Sequence, residues 1–291
     1  MKKVTLRIML GISIFSIGTT SAQTKVSNQE KEAAVHLSFI PPLSTNGIHA
    51  GQYTNHFSLN LLAGISKNET AFTLGGLGNI VLNNANGFQL AGLANYVGNN
   101  FTGLQVAGLV NIAKNVSGVQ LAGLLNIANQ SDYPIGLINI IKEGEMGISA
   151  TYNEIGTTAI TFRSGGRVTY GILGLGYNHK AKEKEAFTAL GGLGAHVHIA
   201  SWLRINNELT IESVNCFSDD ETTFKAAYAL LPACKIGQYL ELFAGPNINY
   251  MQSDNPDNHK LFPSHSLWKK EQTSKLQQLY IGYQVGIQYI F

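Results

Sequence analysis

The chain reads as an all-β protein, an antiparallel transmembrane β-barrel of about fourteen strands, on three observations. First, its last segment alternates strictly: Tyr283, Val285, Ile287, Tyr289 and Phe291 share one face, and Gly282, Gln284, Gly286 and Gln288 share the other. A strand has a side-chain period of two, so one face is apolar and aromatic while its opposite is small and polar. A lipid-facing barrel wall has this pattern, with aromatics at its interfaces. Second, charged residues make up 13% of the chain, about half the usual ~25%. Yet no apolar run after residue 22 approaches the ~18 residues of a membrane helix. Third, residues 71–141 repeat a glycine-rich unit close in length to the ~9–11 residues of a spanning strand.

Taken from the N-terminus, residues 1–22 read as an export signal. Lys2, Lys3 and Arg7 form a basic n-region, Ile8 to Gly18 a short apolar h-region, and Thr20-Ser21-Ala22 a small-residue cleavage site. Removing it leaves 17 basic residues against 18 acidic, a net of −1. That balance offers no positive excess for nucleic acid. Residues 23–54 read as a periplasmic lead-in. A strand at Val35–Ile40 would make the count odd, against the even-number rule, and Pro41-Pro42 would break it early.

Residues 55–141 hold the repeats. Ala71–Ile80, Gly87–Tyr96, Gly103–Ile112 and Gly118–Ile127 align, and Ile135–Ile140 is a shortened copy. The shared glycines Gly76, Gly92, Gly108, Gly123 and Gly136 are spaced 16, 16, 15 and 13 residues apart. Such a period calls for a repeated structural unit. Two readings compete. Each unit is one barrel strand, with Leu104, Val106, Gly108, Val110 and Ile112 toward lipid and Gln105, Ala107, Leu109, Asn111 and Ala113 inward. Alternatively each unit is a coil of a β-solenoid, which stacks Gln89, Gln105 and Gln120 in one ladder and Asn79, Asn95, Asn111 and Asn126 in another. Ala186–Gly194 nearly repeats Ala71–Gly78 inside the half that reads most clearly as barrel. That tips the reading toward strands. An eight-stranded C-terminal barrel with a solenoid-like repeat module stays open as the alternative.

Residues 142–291 give the C-terminal barrel strands 146–153, 157–163, 167–178, 186–199, 202–216, 223–234, 238–250 and 279–291. The repeat half adds 55–65, 71–82, 87–97, 103–113, 118–128 and 134–141. Connections alternate between short turns and longer polar loops, the longest being 251–278, as in barrels with short periplasmic turns and long extracellular loops.

Tyr283, Val285, Ile287, Tyr289 and Phe291 resemble the C-terminal insertion signal of bacterial outer-membrane barrels. The repeats of the form Gly-x-Gln-x-Ala-Gly-Leu-x-Asn-Ile resemble a family of surface-repeat-containing outer-membrane β-barrel proteins of Gram-negative bacteria. The resemblance implies an outer-membrane location, with outer-membrane lipid and the barrel assembly machinery as partners. It carries over no activity.

The chemistry-bearing residues form no recognisable enzyme site. On one face of 202–212 lie Arg204, Asn206, Glu208, Thr210 and Glu212, and by the same phase Arg163, Lys225 and Glu241 point inward. A low-dielectric interior pairs such charges, so these residues, with His196 and His198, are expected to form a lumen network. Its alternative role is a charged constriction that selects solutes. His196 and His198 could bind a metal only with a third converging ligand, and the sequence places none. No cofactor is expected. Ser264 beside His265, and Ser201 near His198, are weak hydrolase candidates lacking an orienting third group. The polar faces of the repeats supply Gln89, Asn95, Gln105, Asn111, Gln120 and Asn126. Cys216 and Cys234 fall about eleven residues apart on a predicted hairpin, ~36 Å at ~3.3 Å per residue, too far to bond. Loop 251–278 mixes Trp268 with Lys269 and Lys270 and could meet an extracellular ligand. The functional expectation is a non-enzymatic surface barrel with a structural or interaction role. A passive channel for small polar solutes is the alternative, and a lipid-processing enzyme comes third.

Overall fold

A computed structural model describes residues 31–181, 186–214, 223–254, 256–272 and 275–291. The export signal, Cys216 and therefore the expected absence of a Cys216–Cys234 bond lie outside the described residues. The first part of the chain is a stack of strands, parallel except for the short β2, which pairs antiparallel with β1. In order these are β1 (Lys31–Ile40), β2 (Leu43–Ser44), β3 (Tyr53–Asn60), β4 (Ala63–Ser66), β5 (Asn68–Gly75), β6 (Gly78–Val81), β7 (Ala85–Ala91), β8 (Ala94–Val97), β9 (Asn100–Ala107), β10 (Val110–Ile112), β11 (Asn115–Ala122), β12 (Leu125–Ala128), β13 (Gln130–Ile135) and β14 (Ile138–Ile141). Odd strands form one parallel sheet from β13 to β1, and even strands form a second from β14 to β4. Each repeat is therefore a coil of two strands that stacks in register on its neighbours: Gln120 on Gln105 and Asn111 on Asn95.

The glycines explain where each coil turns. A Cβ at Gly92, Gly108 or Gly123 would lie 2.1–2.2 Å from the carbonyl oxygen of the glycine in the preceding coil. Only glycine lets the backbones come this close. Buried Val81, Ala85, Val97, Phe101, Ala113, Val116, Ala128 and Ile141 form a narrow apolar core beside the asparagine ladder.

Two expectations change here. The repeat units do not lengthen the barrel to fourteen strands, because each one bends at its Gly-Leu pair and bonds in parallel to the next coil. Leu109, expected inward, is exposed at that bend. Residues 31–52, expected within a periplasmic lead-in, belong to the first coil: β1 pairs in parallel with β3 from Lys31–Tyr53 to Ser38–Asn60. The odd-strand objection fails because β1 joins the stack and not the barrel.

The second part is a closed antiparallel barrel. Its strands are β15 (Glu145–Asn153), β16 (Thr157–Gly165), β17 (Thr169–Asn178), β18 (Phe187–His198), β19 (Leu203–Val214), β20 (Thr223–Ile236) and β21 (Leu240–Ser253), then β22 (Trp268–Glu271) and β23 (Leu276–Ile290). Eight of them form the wall, and β23 closes the ring against β15 from Ile290–Gly147 to Gln284–Asn153. β22 is a short strand on the long loop, paired to the start of β23. The wall strands agree with the expected ones to within three residues at each end. Eight strands leave a bore that side chains can fill.

The stack ends on the barrel. Asn139 in β14 donates its backbone N–H to Ser164 Oγ at 2.9 Å and its side-chain amide to the Ser164 carbonyl at 3.0 Å. Thr169 Oγ1 donates to the Pro134 carbonyl at 2.8 Å. Gly171 lies so close to the Gly136 and Leu137 carbonyls that an added Cβ would stand 2.1 and 2.3 Å from them. The barrel wall thereby caps the last coil.

Candidate functional site

Alternation along β15 to β23 sends one set of side chains into the bore, and these meet in three layers. Nearest the short turns, Arg204 reaches Glu145 at 2.6 Å and Glu241 at 2.7 Å, and Lys235 reaches the other oxygen of Glu145 at 2.9 Å. Asn206 donates to Glu241 at 3.0 Å, and its own oxygen lies 2.7 Å from His196 Nδ1. In the middle layer Arg163 pairs with Glu208 at 2.9 Å, donates to Ser149 at 2.6 Å and lies 4.4 Å from the Phe243 ring centre. Tyr170 donates its hydroxyl to Glu208 at 2.8 Å. In the layer toward the long loops, Lys225 bridges Glu212 at 3.0 Å and Glu154 at 3.2 Å, and Tyr280 donates to Glu154 at 3.0 Å.

Seven of the eight expected lumen residues are buried in this network: Arg163, His196, Arg204, Glu208, Glu212, Lys225 and Glu241. His198 is not. It shares the face of His196 but sits at the end of β18, where the strand leaves the bore and the side chain is exposed. The two imidazoles stand 5.9 Å apart, edge to face, and His196 is engaged by Asn206. Among the described residues no group of three or more His, Cys, Asp or Glu is placed to hold a metal ion. Sequence reasoning missed Glu145, Glu154, Tyr170, Tyr280 and Lys235, the last expected in a turn. Tyr170 and Tyr280 follow from strand phase alone, whereas both glutamates lie at or beyond the ends of β15, where alternation gives little guidance.

The network fills the bore. Between the middle and long-loop layers the cavity lined by Asn153, Arg163, Glu208, Glu212 and Lys225 holds about 20 Å³, room for about one water. An ion pair in such an interior stabilises less by attraction than it costs when one partner is lost.

The outward faces are the reverse. Tyr283, Val285, Ile287 and Tyr289 on β23, and Phe291 just after it, the expected insertion signal, are all exposed. Ile148, Ile160, Leu173, Leu175, Leu209, Ile211, Leu230, Leu242 and Ile248 continue this apolar wall around the barrel. Exposed aromatics collect at both rims: Trp202, Tyr239, Tyr289 and Phe291 at the short turns, Tyr152, Tyr177, Phe187, Phe224 and Tyr250 toward the long loops. An apolar groove of about 970 Å³ runs along the wall beside Leu137, floored by Gly174, Gly191 and Gly192.

In the stack the expected polar faces are buried ladders. Asn60 donates to Asn79 at 2.8 Å, Asn79 to Asn95 at 2.9 Å, Asn95 to Asn111 at 3.0 Å, Asn111 to Asn126 at 3.1 Å and Asn126 to Asn139 at 2.8 Å. The second amide proton of Asn79, Asn95 and Asn111 goes to a carbonyl in the following coil, that of Leu90, Val106 and Leu121 respectively. Gln105 donates to Gln89 at 2.8 Å and Gln120 to Gln105 at 3.0 Å. These side chains are used in holding one coil to the next.

Ser264, His265 and Ser201 are exposed. Gln278 donates to the backbone carbonyl of His265 at 3.4 Å. On the long loop, Leu267 and Trp268 are exposed, and Lys269 lies 2.9 Å from Glu271. That hydrogen bond holds the Glu271 carboxyl below its ordinary range.

No family model matches the chain, and no curated protein does. Among solved structures it is similar to one described as "De novo design of transmembrane beta-barrels", at 12% identity over 50% of this chain and 93% of that chain, with a TM-score of 0.28.

Proposed function

We propose that the protein is a non-enzymatic outer-membrane β-barrel of a Gram-negative bacterium, with a structural or interaction role at the cell surface. The observation that carries this reading is the inversion of polarity across the wall. The bore is packed with paired charges, while the outside is a continuous apolar belt with aromatics at both rims. A water-soluble barrel has no reason to expose such a belt, and lipid supplies one. The basic and apolar pattern of residues 2–22 supports export. The filled bore supports a structural role over a passive channel, which needs a continuous aqueous path. Exposed Leu267 and Trp268 beside Lys269 and Lys270 make the long loop the natural surface for an extracellular ligand.

Membrane fractionation followed by planar-bilayer recording tests this reading. Retention in the membrane after a high-salt wash and an insulating bilayer are expected. Release by salt would contradict a membrane barrel. Discrete ion-selective openings would replace the structural role with a channel.

A further inference from the structure

The stack of coils has its own inverted polarity, and it is not uniform around the coil. Each coil has two corners. At one, the Gly-Leu pairs place Leu77, Leu93, Leu109 and Leu124 in a ladder, exposed by 47, 45, 47 and 43%. The sheet faces beside this corner are also apolar, with Leu90, Leu104 and Leu121 exposed on one and Ile80, Tyr96 and Ile140 on the other. The opposite corner carries Asn83-Asn84, Asn99-Asn100, Lys114-Asn115, Asn129-Gln130 and Lys142-Glu143. Its asparagines stack as a second ladder: Asn83 donates to Asn68 at 3.0 Å and Asn115 to Asn100 at 2.9 Å.

The barrel fixes how these corners stand. Residues 142–144 run from the polar corner of the last coil straight into β15 at the short-turn rim, where Glu145 pairs with Gly165. The leucine corner of the same coil packs its Gly136 and Leu137 carbonyls against Gly171, next to Tyr170, and its Leu137 side chain reaches further up the wall. Leu137 Cδ2 is 3.5 Å from where a Cβ on Gly191 would be, and Gly191 pairs with Leu173. Leu173 is three residues along β17 from Tyr170, which pairs with Gly165 at the rim. Along the tilted strand that side-chain reach is ~10 Å at ~3.3 Å per residue, within the ~15 Å half-thickness of a ~30 Å hydrocarbon core. Polar corner and rim therefore share one level, and the Leu137 side chain joins the apolar belt beside Leu173 and Leu175.

We infer that the stack is a wedge inserted into one leaflet of the bilayer, its leucine corner in hydrocarbon and its asparagine and lysine corner at the headgroups of the short-turn side. The occupant of the apolar faces is the acyl chains of that leaflet. Continuity with the barrel belt and the matched levels of the two polar borders argue for lipid over a protein partner. The interior suits this setting, since groups inside hydrocarbon must find partners within the protein and the inner asparagines Asn79, Asn95 and Asn111 find them in the neighbouring coils. The inference rests on the membrane-barrel reading.

Spin labels in lipid vesicles test it. Single cysteines would replace Leu93, Leu109, Asn99 or Lys114, and, as a barrel reference, Ile211, with Cys216 and Cys234 changed to serine. Collision with oxygen reports hydrocarbon, and collision with a neutral nickel chelate reports water. At Leu93 and Leu109 oxygen accessibility is expected to exceed nickel accessibility several-fold, as at Ile211. At Asn99 and Lys114 the order is expected to reverse. Nickel-accessible labels at Leu93 and Leu109, with Ile211 still in lipid, would overturn the wedge and leave the membrane barrel standing. Nickel access at Ile211 as well would overturn both. Labels at Leu93 and Leu109 shielded from both reagents would overturn lipid as the occupant in favour of a protein partner.

Discussion

Asn139 in the last coil donates its side-chain amide to the carbonyl of Ser164 in the barrel wall at 3.0 Å, while accepting from Asn126 at 2.8 Å. One residue thus ends the asparagine ladder of the stack and ties it to β16. The ladder begins at Asn60 and runs through six asparagines, all buried. Buried asparagines share the interior with a narrow apolar core, so the stack depends on hydrogen bonds that pass from coil to coil.

Asn111→Ala tests that dependence. The change removes the acceptor of Asn95 and the donors to Asn126 and the Leu121 carbonyl. A buried group left unsatisfied costs about 1–3 kcal/mol. A lower urea midpoint for the stack is expected, read by protease susceptibility between residues 60 and 140. Asn115→Ala, at the exposed corner, should shift it little.

Gly108→Ala tests the corner geometry. Its Cβ would meet the Gly92 carbonyl oxygen at 2.1 Å, a backbone atom with no flexible side chain to yield. Gly237→Ala is the control: φ is +69° and nothing lies within 4 Å of its Cβ. The control carries only the left-handed backbone penalty, about 1–2 kcal/mol. Gly108→Ala is expected to lose more, seen as a larger fall in the thermal midpoint.

Arg163→Met tests the barrel interior. It leaves Glu208 buried with the Tyr170 hydroxyl but without its cation. Breaking a buried pair on one side costs about 3–5 kcal/mol. The folded barrel should unfold at lower temperature in detergent. The double variant Arg163→Met, Glu208→Gln should recover part of the loss, and no recovery would mean that packing of Arg163 on Phe243 dominates.

The barrel half was legible because its pattern is simple. On β19 Arg204, Asn206, Glu208 and Glu212 alternate with Leu203, Ile205, Leu209 and Ile211, so one phase names both the network and the outer wall. The repeats hid their bend for a physical reason. Gln105 and Asn111 are six residues apart and keep the same parity whether the chain runs straight or turns at Gly108-Leu109. Period-two reasoning therefore cannot see the corner. Near-identity of neighbouring units was the truer signal, since in-register stacking places like on like. The comparison with Ala186–Gly194 pointed the other way because that sequence suits both settings. Gly191-Gly192-Leu193 lies inside a straight antiparallel strand, while Gly75-Gly76-Leu77 turns a corner. Tertiary context decides between them. His198 was misplaced for a simpler reason: alternation gives a face, and not how far along the strand the bore extends.

The most direct test of the architecture is the closing seam. Ala150 in β15 is paired with Ile287 in β23, and paired residues of antiparallel strands lie about 4.5–5.5 Å apart, within disulfide reach. With Cys216 and Cys234 changed to serine, Ala150→Cys with Ile287→Cys is expected to form an intramolecular crosslink on oxidation of the folded protein in detergent. In a fourteen-stranded barrel the last strand would instead meet residues 55–65. A crosslink from Ile287→Cys to Leu59→Cys, with none to Ala150→Cys, would contradict the eight-stranded barrel.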